Sequence, residues 1–263
     1  MCPGQTTDSS GRDRRFKTTR WSVIVASVDA QTGEPKATEA LAHLCRIYWR
    51  PIFAFVARRT PSQQDAEDLT QDFFVTVLTG DLLRRADPER GRFRSLLLTS
   101  LQNFLNGASE RAQALKRGGA AQFISWDEWM AEAPSHLMVS VGAEKTWSAE
   151  KVFDVRWAAT VAEQALRRLE EECEAHKRQR VFDVLSGTLT AEREDISYET
   201  LARELGVKAA DVKRLRNRLR QRFRELLRAE VADTVADPGD VDDEVRYLVA
   251  ALSTGMESGY KPA

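Results

Sequence analysis

Apolar residues recur along most of this chain at spacings of three and four, the repeat that lines one face of an α-helix. Thr19 is placed to cap a short amphipathic segment over 21–28, which Gly33, Glu34 and Pro35 break. Leu41, Leu44, Tyr48, Ile52, Phe55 and Val56 then predict a longer helix from about 36 to 59. Pro51 falls inside that pattern and marks either a kink or a new helix start. Residues 60–62 read as a turn, with Ser62 a good N-cap for a helix over 63–78. A further helix over 93–116 is apolar through Leu96, Leu97, Leu101, Phe104 and Leu105 and stops at Gly118 and Gly119.

From 120 to 151 the period fails. Phe123, Trp126 and Trp129 are interleaved with Asp127, Glu128, Glu132 and Glu144, and Pro134 and Gly142 interrupt them, as in an irregular acidic linker. Helical spacing resumes over 152–185, and after a Gly-Thr-Leu-Thr break a compact region spans 196–227. The pattern predicts an all-α protein of two helical domains joined by a linker. Its parts are a disordered tail (1–17), a first domain (18–119), the linker (120–151), a second domain (152–230) and an acidic extension (231–263).

Composition narrows the function by exclusion. The chain has 39 Lys and Arg against 40 Asp and Glu, a net charge of −1, which by itself argues weakly against a nucleic-acid binder. The average hides segregation, because the bases cluster in three places and the acids elsewhere. No run approaches the length of a membrane span, and the N-terminus has no apolar core behind its basic residues. Cys2, Cys45 and Cys173 are too few and too scattered for a disulfide framework. Cys173 and His176 have the spacing of two helical metal ligands, but no second pair completes a site, so neither metal nor cofactor is expected. There is no HExxH, Walker-type loop or GxSxG, and no constellation suggests an enzyme.

Residues 196–224, ISYETLARELGVKAADVKRLRNRLRQRFR, carry most of the inference. Ser197 caps a short helix with Leu201, Ala202 and Leu205 inward. Gly206 supplies a tight turn, Val207 fills the corner, and a second helix starts near Ala209 with Val212, Leu215 and Leu219 inward. This is a helix-turn-helix pattern. From Lys208 to Arg228 there are nine Lys or Arg against Asp211 and Glu225, which leaves seven net positive charges, enough to bind phosphate by counterion release. Asp211, Lys213, Arg214, Asn217 and Arg218 are placed toward a DNA groove, Lys208 at the head of the same basic run is a further DNA-binding candidate, and Arg220, Arg222 and Arg224 are later and suit phosphate. A solvated charged helix is the plainer alternative.

The upstream segment QQDAEDLTQDFFVTVL places Asp65, Asp68 and Asp72 on one face and Ala66, Leu69, Phe73 and Val77 on the other. A DNA-binding surface gains nothing from that acidic stripe, but docking to a basic protein does.

Together these segments resemble the sigma-70 superfamily, specifically its extracytoplasmic-function group. DAEDLTQDFF is similar to region 2.2, which grips core RNA polymerase, and the resemblance implies that Asp65, Asp68, Gln71 and Asp72 face that partner. FRSLLLTSLQNFLNGASERAQALKRGG resembles regions 2.3 and 2.4, which engage the −10 promoter element; the resemblance implies Arg94, Asn103, Arg111, Lys116 and Arg117 there. Residues 196–224 resemble region 4.2, which reads the −35 element. TTRWSVI, ALKRGG and VADPGDVDDEVRYL are similar to a planctomycete-like subgroup with a C-terminal extension. Where that subgroup has an acidic-Trp-Asp-Arg run, this chain has Ala108, Ser109, Glu110 and Arg111, and Ser109 has no ring to stack on a base. The implied protein is a cytoplasmic initiation factor, with promoter DNA and core polymerase as partners, regulated by a separate anti-sigma factor or kinase.

Two rival readings stand beside it. A helix-turn-helix regulator acting without polymerase explains 196–224 but not the acidic helix. A helical adaptor that sequesters a partner explains the acidic helix but not the basic one. For the extension, Val245, Leu248, Val249 and Leu252 predict an apolar stripe that either caps the second domain or holds acidic residues over its basic helix.

Overall fold

The structure, a computed structural model, describes the backbone of residues 35–79, 82–83, 93–114, 147–189, 196–235 and 237–257; within these it describes the side chains of 42–77, 82–83, 93–108, 147–189, 196–235 and 237–253. Every regular element among them is helical, as the periodicity predicts. In chain order they are α1 (Pro35–Ala57), α2 (Gln63–Thr79), α3 (Phe93–Ala114), α4 (Ala149–Ala175), α5 (Gln179–Leu185), α6 (Tyr198–Leu205), α7 (Ala209–Ala232) and α8 (Val241–Glu257), with 3-10 turns at Ser186–Thr188 and Pro238–Asp240. The expected tail, the helix over 21–28, and the linker aromatics Trp126 and Trp129 lie outside the described residues.

Helix α1 continues through Pro51 as a single α-helix. Pro51 removes one backbone donor, but Ile47, Ile52, Phe55 and Val56 around it are fully buried and hold the helix to its neighbours. The helix expected over 152–185 is two helices. It starts earlier, at Ser148, whose side chain accepts the Lys151 N–H at 3.2 Å. It breaks at Lys177, the one described non-glycine residue with a positive φ, 57°, and the Arg178 N–H closes the turn on Cys173 O at 2.7 Å. No Gly or Pro announces that break, so the sequence pattern ran through it.

Helices from both the 18–119 and the 152–230 segments contribute to one hydrophobic cluster. Helix α4 lies against α1 on one side and α7 on the other, and its Phe153, Trp157, Ala158, Val161 and Ala165 are fully buried. Tyr48 makes an edge-on contact with Phe93 at 5.4 Å and stacks on Phe153 at 6.5 Å, and Phe55 meets Phe153 edge-on. Each such buried side chain contributes about 1.5–3 kcal/mol by removal from water. Polar bonds follow the same seam: Arg50 donates to Glu163 at 2.7 Å, and Arg58 donates to the Trp147 carbonyl at 3.0 and 3.2 Å. Burial pushes the Glu163 carboxyl up, with Arg50 opposing. Burial also pushes the Cys45 thiol up to about 11, so it stays protonated and unreactive at neutral pH.

The seam is tied most tightly at Arg94, near the start of α3. Its guanidinium donates to Asp154 of α4 at 2.5 Å and to Glu244 of α8 at 3.1 Å. It also lies over the rings of Tyr247, at 4.1 Å, and Trp157, at 5.1 Å. Tyr247 donates its hydroxyl to Asp154 at 2.5 Å. Arg94 and Glu244 are 7% and 2% exposed, so three helices far apart in sequence meet on one buried cation.

Helix α8 packs in the manner of the capping reading of the acidic extension. Val241 and Leu248 are buried, and Val245, Tyr247, Ala251 and Leu252 pack on α4 and the C-terminal end of α7. Val249, expected in the apolar stripe, is instead 51% exposed. Asp242 pairs with Arg228, near the end of α7, while Lys213, Arg214, Asn217 and Arg218 stay exposed. Among the described residues the extension packs on the helical body and does not cover those four side chains.

Candidate protein and nucleic-acid interfaces

Two charged faces stand apart on the surface. The first is on α2. Ser62 starts that helix as expected: its hydroxyl accepts the Asp65 N–H at 3.1 Å and donates to the Asp65 carboxylate at 2.6 Å. Ala66, Thr70, Phe73 and Val77 face inward, Leu69 packs against them, and Phe73 meets Phe104 of α3 at 5.5 Å. Thr70 is buried without loss because its hydroxyl donates to the Ala66 carbonyl at 2.6 Å. With that face committed to the core, Asp65, Asp68 and Asp72 project into solvent and Gln71 is half-buried beside them. Val75, 54% exposed on the same helix, adds an apolar spot of the kind a protein partner covers.

The second face is built by α6, the turn at Gly206 and α7. Gly206 has φ 69°, and a Cβ there would meet nothing within 4 Å, so only backbone conformation demands glycine. The Val207 N–H closes the turn on Ala202 O at 3.0 Å. Ala202, Val212 and Leu219 are buried, with Leu201, Leu205 and Leu215 packed against them, as expected. Two details differ. Ser197 stands at the N-cap of α6, but its hydroxyl pairs with the Thr200 hydroxyl at 2.9 Å instead of a backbone N–H. Val207 does not fill the corner; it is 40% exposed, because the turn points it out beside Lys208.

The basic residues of α7 divide into working groups that a count of charges could not separate. Lys208, Lys213, Arg214, Asn217, Arg218 and Arg224 are exposed, and Asp211 and Arg220 are half-buried. Arg214 pairs with Asp211 one turn before it. Arg222 is held: its guanidinium donates two bonds to Glu172 of α4, at 2.7 and 2.8 Å, and one to Glu225 at 2.8 Å. Those hydrogen bonds hold the Glu172 carboxyl below its usual range. The pairing therefore adds stability above ordinary carboxylate pKa values and loses it as pH falls through the lowered one. To reach a phosphate, Arg222 must exchange these carboxylates for it. Arg216 is not a surface cation at all. It is 1% exposed and donates to the Thr188 carbonyl at 2.8 and 3.2 Å, stapling α7 to the turn after α5. Its place on the inward stripe one residue after Leu215 was the available signal.

For the expected −10 residues the outcome is mixed. Arg94 is buried between Asp154, Glu244 and Tyr247, with both of those carboxylates on its guanidinium. Asn103 is exposed on α3. Arg111 and Ser109 lie on α3 beyond its described side chains, and Lys116 and Arg117 lie outside the described residues.

The described fold is thus an all-helical body with an acidic helix face and, elsewhere, a tight helical pair whose second member is basic. Residues 44–106, which contain the acidic face, match the family model of sigma-70 region 2. The match covers less than half of the 263-residue chain and supports membership of the sigma-70 superfamily, whose members are transcription initiation factors and not enzymes. No curated protein and no solved structure matches the chain. Among the described residues no helix is long and apolar enough to cross a membrane.

Proposed function

We propose that this chain is an extracytoplasmic-function sigma factor that binds core RNA polymerase and directs it to promoters. The observation that carries the reading is the acidic face of α2, exposed inside the segment matching sigma-70 region 2. Asp65, Asp68, Gln71 and Asp72 dock on a basic surface of the core enzyme. Complementary charge favours that encounter and suppresses wrong partners. The helical pair at Gly206 supplies the second half of the function as a DNA-binding helix-turn-helix. Lys208, Asp211, Lys213, Arg214, Asn217 and Arg218 enter the groove at the −35 element, and Arg220 and Arg222 hold phosphates. Asn103, Arg111, Lys116 and Arg117 serve the −10 element. Control falls to a separate anti-sigma factor or kinase, and the planctomycete-like subgroup with its C-terminal extension is the best placement within the family.

Gel filtration of the purified chain with bacterial core polymerase tests the reading, and co-elution is the expected result. An elution position unchanged by core polymerase, together with tight binding of the free chain to a palindromic operator, would point to a regulator that acts alone. A second expectation concerns the DNA face. Arg214→Ala should lower −35-dependent initiation by about 1–3 kcal/mol, the range for a base contact, while core affinity stays unchanged. Equal loss on promoters with and without the −35 sequence would instead make Arg214 a general phosphate contact.

A further inference from the structure

Three side chains that no sequence motif connects meet where α1 reaches the end of α7. His43 of α1 has its Nε2 at 3.4 Å from Glu230 Oε2 and 3.8 Å from Asp233 Oδ2. The three ligand atoms all lie within 4.8 Å of one another. Ligands about 2.0–2.1 Å from a tetrahedral zinc ion sit about 3.3–3.4 Å apart; the His43–Glu230 pair already has that spacing, and Asp233 would close in by a few tenths of an ångström or more to join it.

The carboxylate is prepared for such a role. Glu230 is 2% exposed, and its Oε1 accepts a bond from Arg168 at 2.6 Å. That bond fixes the carboxylate plane and leaves Oε2 turned toward His43, where it accepts no hydrogen bond among the described residues. A buried carboxylate oxygen left so is costly unless a cation completes it. An outer partner orienting a ligating carboxylate is the arrangement metal sites use. Asp233, with its side chain 21% exposed, is the one of the three that reaches solvent.

We infer that His43, Glu230 and Asp233 form a zinc site that staples α1 to the C-terminal end of α7. The single imidazole sets the class of ion. A nitrogen ligand with two carboxylates suits zinc and its transition-metal neighbours, whereas magnesium and calcium favour all-oxygen shells. His43 lies one residue outside the segment matching sigma-70 region 2, and the inference stands independently of the sigma reading. Its ligands come from two helices nearly two hundred residues apart, so a bound ion would tie those helices together.

The test is calorimetric titration of the full chain, stripped with a chelator and free of any histidine tag, with zinc chloride at neutral pH. The expected result is uptake of one equivalent that excess magnesium does not displace, with a rise in Tm. Loss of an outer-shell partner alone costs about 10–100-fold in affinity, so Asp233→Asn and His43→Gln should each cost at least about 100-fold. Asp233 is partly exposed at a helix end, so its variant stays folded even where His43→Gln does not. Cobalt in place of zinc should give visible d–d bands without a thiolate charge-transfer band. The proposal is overturned if the wild type takes up no zinc. It is equally overturned if Asp233→Asn binds zinc as the wild type does, or if cobalt reports a thiolate ligand.

Discussion

Arg94→Leu is expected to lower the unfolding free energy by about 3–5 kcal/mol, the range for removing one partner of a buried ion pair. The substitution withdraws a cation that pairs with both the buried Glu244 and the partly exposed Asp154. It also removes the contacts of the guanidinium with the Tyr247 and Trp157 rings. For a chain of this size the loss is a sizeable share of total stability. Urea denaturation followed by circular dichroism measures it. The companion variant separates charge from packing. Arg94→Leu combined with Glu244→Leu should recover part of the loss, because replacing a whole buried pair with apolar side chains is often near neutral. A double variant no more stable than the single one would place the effect in lost packing.

The second large effect concerns the partner and not the fold. Asp68→Arg should abolish co-elution with core polymerase and, with it, transcription in a reconstituted assay. Asp68 is exposed on α2, so stability should stay within about 0.5 kcal/mol of wild type, as for other surface substitutions away from special features. The reversal replaces attraction by repulsion at the centre of the acidic stripe, and like charges across an interface cost several kcal/mol. Asp68→Asn is the milder control and should weaken binding without ending it. If Asp68→Arg and Arg214→Ala fail in the same assays, the separation of a polymerase face from a DNA face is wrong.

The helices themselves were readable because each needed only local information. The 63–78 helix carried its cap in Ser62 and its two faces in the spacing of Ala66, Phe73 and Val77 against Asp65, Asp68 and Asp72. The turn at Gly206 was readable for the same reason, since only glycine takes that φ without strain. What stayed hidden depended on partners distant in sequence. Arg94 looks like any other basic residue of a basic helix until Asp154 and Glu244 are placed beside it, and Arg216 until Thr188 is. His43, Glu230 and Asp233 are nearly two hundred residues apart across the cluster and leave no spacing to detect. The break at Lys177 was invisible for another reason: a lysine in the left-handed region is held there by its surroundings, not by its own preference.

The buried face of α4 has a consequence for how the chain opens. Because Phe153 and Trp157 pack toward α1 while the same helix carries α7, the amides of Ile47, Ile52 and Phe153 are expected to act as one cooperative unit and to exchange with deuterium together, as that unit opens. A partner that draws α1 away from α4 must expose that apolar seam and supply the free energy for it. Such opening would be recorded, amide by amide, as lost protection along both helices at once.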